Sequence, residues 1–212
     1  MLTVKHDLSS VESDLFAGRL CCPGCGGVLR PWGWARRRLI RHGTGSGRRV
    51  IVHRPRRGRC TGCAATHVLL GLELAARRAD TAAVIAAAIE AKTLTGAGHR
   101  GIAVALDRPA STVRGWLRAF GSAAGQIGKA FTAWTHRDGP DSAALWPKPE
   151  SRPAGQALAA VMAYAAVLAG RLGIVTLTWH TAGLMTAGPW FFSSTGWPIT
   201  SQHELALTPE AG

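Results

Sequence analysis

Acidic residues are scarce in this 212-residue chain, which has 12 Asp and Glu against 25 Lys and Arg and a formal net charge of +13. The excess is almost entirely arginine, with 21 Arg and only four Lys. From Arg30 to Arg59 there are eleven Arg and no acid. A GC-rich coding sequence also favours Arg, Ala and Gly, but it does not explain this clustering. A field of this sign attracts polyanions, so we expect nucleic acid or an acidic membrane as the partner.

Large apolar side chains are also sparse, because much of the 47% hydrophobic fraction is alanine. We therefore expect small cores instead of the single large core of an ordinary enzyme. No set of paired carboxylates accompanies a serine or cysteine nucleophile. These absences predict a protein that is not an enzyme.

Apolar residues are sparse at the N-terminus as well, where we expect no export signal. Residues 1–20 carry Asp7, Glu12 and Asp14 and no apolar run, which predicts a short polar lead-in with one helical turn near Val11–Phe16. We therefore expect the cysteines to lie in a reducing compartment. We expect a cytoplasmic, nucleoid-associated protein.

Four of the five cysteines form two Cys-x2-Cys pairs, Cys22 with Cys25 and Cys60 with Cys63. Four thiolates make a closed tetrahedral shell, which suits structural Zn²⁺ and leaves no position open for chemistry. A thioredoxin-like redox pair would need a βαβ pattern, which neither pair has. Iron–sulfur clusters usually have other ligand spacings. We predict one structural zinc ion bound by Cys22, Cys25, Cys60 and Cys63.

Three further side chains are weaker ligand candidates. Cys21 could replace Cys22 in a Cys-x3-Cys register, although Cys22 fits the two-residue spacing better. His53 and His67 are close in sequence to the second pair, and we expect them to be ordinary strand or surface histidines.

The two cysteine pairs are separated by 34 residues, more than the usual 15–20. A β-hairpin can fill this gap, because Ala35–Arg41 and Arg48–Arg54 are equal in length and flank the Gly-rich segment His42–Gly47. A third strand is predicted at Thr66–Leu70. Residues 21–78 are therefore interpreted as a zinc ribbon that presents arginines to phosphate groups.

Helical periodicity begins in the next segment, 79–121. One helix is predicted from Asp80 or Thr81 to about Leu94, and Thr95–Gly98 ends it. Two shorter helices are predicted at His99–Leu106 and Ser111–Phe120. This arrangement predicts a helix-turn-helix.

The two shorter helices have matching apolar faces. Ile102, Ala103 and Leu106 lie on the first, and Val113, Trp116 and Leu117 on the second. The second helix is the one that enters the major groove in this motif. Asp107 departs from the pattern, because the turn usually has glycine there. The predicted DNA contacts of the ribbon and this motif are Arg36, Arg37, Arg38, Arg48, Arg49, Arg54, Arg56, Arg57, Arg100, Ser111, Thr112, Arg114 and Arg118.

Two stretches carry a resemblance to known proteins. Arg108–Leu117, with its Arg-Pro-x-Ser-Thr-Val-Arg-x-Trp-Leu pattern, resembles the helix-turn-helix of insertion-sequence transposases. The Cys-Pro-x-Cys-Gly motif and Trp32–Arg36 are similar to a bacterial family that joins a zinc ribbon to this helix pair. The resemblance covers roughly residues 11–120. It implies sequence-directed DNA binding and descent from a transposase, without the catalytic domain.

The rest of the chain is less basic. Glycines and prolines predict a linker at 122–153. Residues 154–178 predict an alanine-rich helix that packs or forms a homodimer, with a membrane anchor as the less favoured alternative. From Thr181 onward we expect a flexible tail. Trp179 and Trp190–Phe192 are predicted core or interface aromatics.

The predicted fold class is α+β, a small zinc-ribbon hairpin domain followed by an all-α domain and a helical C-terminal segment. The predicted function is a non-catalytic binder of double-stranded DNA, a transcriptional regulator or a transposase-derived protein. Two alternatives stay open. One is a DNA-binding subunit of a transposase-type enzyme with its catalytic domain on another chain. The other is a zinc-stapled module for binding a protein or membrane.

Overall fold

The structure, a computed structural model, describes residues 1–4, 8–141, 143–147 and 149–193, and within them the fold is α+β. The strands are β1 (Leu2–Val4), β2 (Leu29–Trp34), β3 (Arg38–His42), β4 (Arg49–His53), β5 (Arg56–Cys60) and β6 (Thr66–Gly71). The helices are α1 (Leu8–Ala17), α2 (Ala82–Thr95), α3 (His99–Leu106), α4 (Ala110–Asp138), α5 (Pro153–Leu172) and α6 (Trp179–Ala187).

The first sheet has four strands in the order β1-β6-β5-β2, and only its β1–β6 pair is parallel. Helix α1 covers this sheet and buries Val11 and Leu15 against Leu29 and Leu69. The helical turn predicted near Val11–Phe16 is confirmed as part of α1, but the description of residues 1–20 as a polar lead-in is wrong. The segment supplies a strand and a helix longer than one turn, because Val11 and Leu15 are four residues apart and share one helix face.

The predicted hairpin is confirmed, with β3 and β4 antiparallel and Leu39 opposite Val52. Its inner face buries Ile40 in a small cluster with Leu70 and Leu74. The third predicted strand is confirmed as β6.

The second and larger core lies between helices α2 to α6. Helix α2 begins after Thr81 and ends at Gly96, which adopts the left-handed conformation with φ 72°. Glycine takes this conformation without steric cost and so ends the helix. The predicted bounds of α3 are confirmed.

Helix α4 is much longer than predicted and runs without a break over 29 residues. The predicted linker at 122–153 is consequently wrong over 122–138. Glycine inside a helix costs about 1 kcal/mol relative to alanine, which favoured a linker over a helix at Gly121 and Gly125. Burial of Ile127 and Phe131, both 0% exposed, offsets that cost.

Helix α5 packs along α4. By length and composition it is the one helix in the described part of the chain that could cross a membrane, but 56% of its apolar window is buried inside the protein. Leu158, Val161 and Leu168, which the sequence suggested for packing or dimerisation, belong to the chain's own core. Met162 and Val175 remain exposed.

Helix α6 closes the helical core. Trp179, Phe191 and Phe192 are buried, which confirms them as core aromatics. Phe131 makes edge-on contacts with Tyr164 and Phe191, with ring centroids 5.7 and 5.8 Å apart. The predicted flexible tail from Thr181 is thus wrong as far as Ser193, and its remainder, 194–212, lies outside the described residues.

One glycine in α6 is required by packing. A Cβ on Gly183 would lie 2.6 Å from Cζ of the buried Phe191 ring. We expect Gly183→Ala to destabilise the protein by about 1–3 kcal/mol, because the ring must leave its place in the core. Thermal unfolding measures this effect. Gly170→Ala in α5 is the matched control, since nothing lies within 4 Å of its added Cβ. Equal melting temperatures for the two variants would contradict the prediction.

Candidate metal centre and nucleic-acid interface

The four paired cysteines meet at one end of the first sheet, Cys22 and Cys25 before β2, Cys60 at the end of β5 and Cys63 in the following loop. Their Sγ atoms all lie within 4.8 Å of one another. The Sγ–Sγ distance is 3.7 Å from Cys22 to Cys63 and 3.4 Å from Cys25 to Cys60. A tetrahedral site with bonds of about 2.3 Å to sulfur has S–S edges of about 3.8 Å. The donor set therefore fits a four-coordinate metal ion, and the predicted grouping is confirmed.

Backbone amides surround the sulfurs. The N–H of Gly62 donates to Cys60 Sγ at 3.3 Å, and that of Gly24 donates to Cys22 Sγ at 3.4 Å. Amide hydrogen bonds from Cys63 and Gly62, aided by the Cys25 thiol, lower the pKa of Cys60 to about 6. The amide of Gly27 acts in the same direction on Cys25, but the neighbouring thiols of Cys60 and Cys63 outweigh it and raise the pKa of Cys25 to about 12. The amides therefore favour the thiolate at Cys60, the form that binds a cation.

The cluster leaves no room for a side chain at Gly27. A Cβ there would lie 2.9 Å from Cys60 Sγ and 3.4 Å from Cys25 Sγ. Glycine is thus required here by close approach to the sulfurs.

The weaker ligand candidates lie outside the four-sulfur group. Cys21 is an exposed free cysteine. His67 Nε2 lies 3.3 Å from the Sγ atom of Cys22, so it contacts one of the four candidate ligands. Burial lowers the pKa of His67 and favours its neutral form. His53 is on β4 in the hairpin.

Most of the predicted contact arginines are accessible. The exposed residues of this set are Arg36, Arg37, Arg48, Arg49, Arg54, Arg100, Ser111, Arg114 and Arg118. They lie on the hairpin, its flanks, α3 and the first part of α4. Thr112 and Arg57 are half-buried.

The structure contradicts the prediction of a phosphate contact for Arg56. Its side chain is 9% exposed, its Nε lies 2.8 Å from Glu12 Oε1, and its Nη1 donates to the carbonyl of Gly33 at 2.7 Å. Arg56 thus joins α1 to the sheet. Arg38 is half-buried and donates to the carbonyl of Arg78, so it also has a partner within the chain.

Helices α3 and α4 are joined by three residues, 107–109. Asp107 takes the left-handed conformation, with φ 51° and ψ 56°. The expected apolar faces meet, because Ile102, Ala103, Val113 and Trp116 are all buried in one core. The opposite side of α4 is left to solvent at its N-terminal end.

Sequence reasoning missed a buried ion-pair network at Asp80, whose side chain is 1% exposed. Its carboxylate accepts from Arg41 Nε and Nη2 at 3.0 and 2.6 Å and from Arg108 Nε at 2.5 Å. Arg108 also donates to the carbonyl of Gly43 at 2.8 Å. The network joins the hairpin, the start of α2 and the α3–α4 turn. The available signal was an isolated acid among many arginines.

Two exposed tryptophans on β2 also contact arginine guanidinium groups through the faces of their rings. The guanidinium of Arg59 lies 4.5 Å from the ring centroid of Trp32, and that of Arg56 lies 4.9 Å from Trp34. At these distances the ring faces attract the guanidinium groups.

No family model, curated protein or solved structure matches this chain.

Proposed function

We propose that this protein is a non-catalytic binder of double-stranded DNA. The observation that carries the proposal is the position of the exposed start of α4 beside the arginine-rich hairpin, where Arg41 of the hairpin and Arg108 of the α3–α4 turn both bind Asp80. Ser111, Arg114 and Arg118 are accessible on that helix. An α-helix fits the major groove, while arginines around it bind the phosphate backbone.

In this proposal α3 and α4 act as a helix-turn-helix. The short turn, the shared apolar core and the exposed second helix support it. Arg114 reads guanine, and Arg49, Arg54 and Arg118 bind phosphates. The protein then acts as a transcriptional regulator or as a DNA binder derived from a transposase, in keeping with the resemblance at Arg108–Leu117.

The metal in this proposal is Zn²⁺, held by Cys22, Cys25, Cys60 and Cys63. Four thiols at tetrahedral spacing favour zinc over cations that prefer oxygen ligands. When bound, the ion supplies folding free energy and no reaction chemistry, because the four sulfurs fill its coordination shell. The sheet it holds supports the hairpin.

The test is a titration of the zinc-loaded protein with duplex DNA at several salt concentrations. The three proposed arginine–phosphate contacts predict a slope of about −2.7 in log affinity against log salt, or roughly a fortyfold loss between 50 and 200 mM. Undetectable binding, or affinity that does not change with salt, would contradict the proposal.

Base reading is tested with Arg114→Ala. We expect a loss of about 1–3 kcal/mol for the preferred duplex and little change for random duplexes, so sequence selectivity falls. Arg49→Ala should instead weaken binding to all duplexes alike. Duplexes selected from a random DNA library by binding to each protein are sequenced, and the preferred sites of both variants are compared with those of the wild type. Unchanged selectivity in Arg114→Ala would remove this residue from base reading.

A further inference from the structure

An open cleft of about 690 Å³ separates the hairpin from the α3–α4 turn. Five of the nine residues that line it are charged, and they bring four guanidinium groups and one carboxylate. These charged residues are Arg41, Arg48, Arg100, Arg108 and Asp107. When the buried Asp80 carboxylate is also counted, the four arginines still outnumber the two acids. A concave site of this kind raises the local concentration of anions.

The guanidinium groups of the cleft have different tasks. The guanidinium group of Arg108 is occupied by partners within the chain. Its nitrogens donate to Asp80 and to the carbonyls of Leu106, Asp107 and Gly43. Arg41 donates to Asp80 through Nε and Nη2, which leaves Nη1 for another acceptor. Arg100 is exposed and forms no ion pair with any residue that the structure describes.

Arg48 and Asp107 form an ion pair beside the cleft, with Nη1 2.5 Å from Oδ2. Their side chains are 41% and 56% exposed. Ion pairs this open to water are weak and exchange readily. An incoming anion can therefore take Arg48 from Asp107, while the Asp107 carboxylate repels it.

The first residue of α4, Ala110, lines the same cleft. No side chain caps this helix, whose N-cap residue is Pro109. The helix dipole adds a smaller favourable contribution for an anion there.

We propose that this cleft is a phosphate-binding site formed by Arg48, Arg100 and the outward N–H groups of Arg41, with Asp107 as a built-in competitor. Planar guanidinium groups bind phosphate oxygens through paired hydrogen bonds. In DNA binding, a backbone phosphate would lie in this site, between the hairpin and α4. This assignment rests on the proposed function. A free phosphorylated ligand has the same chemistry.

The first arm of the test titrates the full-length, zinc-loaded protein with inorganic pyrophosphate and follows backbone and arginine Nε–Hε signals by NMR. We expect shifts at Arg48, Arg100, Asp107 and Ala110. Arg100→Gln should weaken binding at least fivefold. Asp107→Asn should strengthen it severalfold, because asparagine accepts the left-handed conformation and releases Arg48.

Lys129→Gln is the control, because Lys129 is exposed on α4 about 28 Å along the helix from Ala110. It makes the same change in net charge as Arg100→Gln and should leave pyrophosphate binding unchanged. Equal weakening by both variants, or no gain in Asp107→Asn, would overturn the site.

The second arm repeats the titration with duplex DNA. Parallel losses for Arg100→Gln identify the bound group as a backbone phosphate. Pyrophosphate binding with unchanged duplex affinity identifies a free phosphorylated ligand and still supports the site. If the wild type binds pyrophosphate in the cleft but no duplex, the proposed function fails while the site stands.

Discussion

Chelation of the proposed zinc ion is expected to unfold the four-stranded sheet while the helical core of α2 to α6 stays folded. The core beneath the sheet has only a few large side chains, among them Val11, Leu15, Leu29 and Leu69. Cys22 and Cys60 are part of the same core, so loss of the metal leaves thiol groups inside it. Structural zinc contributes roughly 10 kcal/mol or more to such small units, more than this apolar cluster can replace.

Metal analysis of the purified protein and NMR spectra before and after chelation test this expectation. One zinc per chain and collapse of the sheet signals are the expected results. Cys60→Ser should lose the metal, whereas Cys21→Ser should keep it, because Cys21 is exposed and outside the four-sulfur cluster. A metal-free protein with unchanged sheet signals would refute the structural role.

Loss of the Asp80 charge is expected to have the largest effect of any single substitution outside the cysteines. Asp80→Asn leaves Arg41 and Arg108 without their counterion, and the Arg108 side chain is only 1% exposed. Breaking a buried pair from one side costs about 3–5 kcal/mol, since an uncompensated charge stays inside the protein. For a chain of this length the melting temperature should fall by roughly 6–20 °C.

Thermal and denaturant unfolding measure this loss. Asp141→Asn is the matched control, because Asp141 carries the same charge at an exposed position. Its melting temperature should stay within about 1–2 °C of the wild type, as for ordinary surface substitutions. If Asp80→Asn were equally mild, the network would not hold the hairpin to the α3–α4 turn.

Local sequence signals predicted much of the fold and the cysteine cluster. The hairpin, β6, α2 and α3 each have signals within a few residues, such as the Gly-rich loop at His42–Gly47 and the left-handed Gly96. The four cysteines were predictable because their chemistry fixes their spacing. Arginine side chains were less predictable, since Arg56 and Arg49 look alike in sequence, while one is buried against Glu12 and the other is exposed.

The missed features depend on contacts between distant parts of the chain. Helix α4 continues through Gly121 and Gly125 because α5 and α6 bury its apolar face. Helix α6 forms in a segment rich in turn residues because Trp179 and Phe191 fill the core. Asp80 gains its role only when residues 39 and 28 positions away fold against it.

The length of α4 has a consequence for how this chain can be divided. The helix begins at the proposed DNA surface and ends about 43 Å further on. Its later part packs against α5. Phe120 sits edge-on against Trp179, with ring centroids 6.0 Å apart. Residues 79–121 are therefore not a cassette that recombination could move into another protein. An evolutionary transfer of the proposed recognition helix would have to carry the C-terminal helices with it.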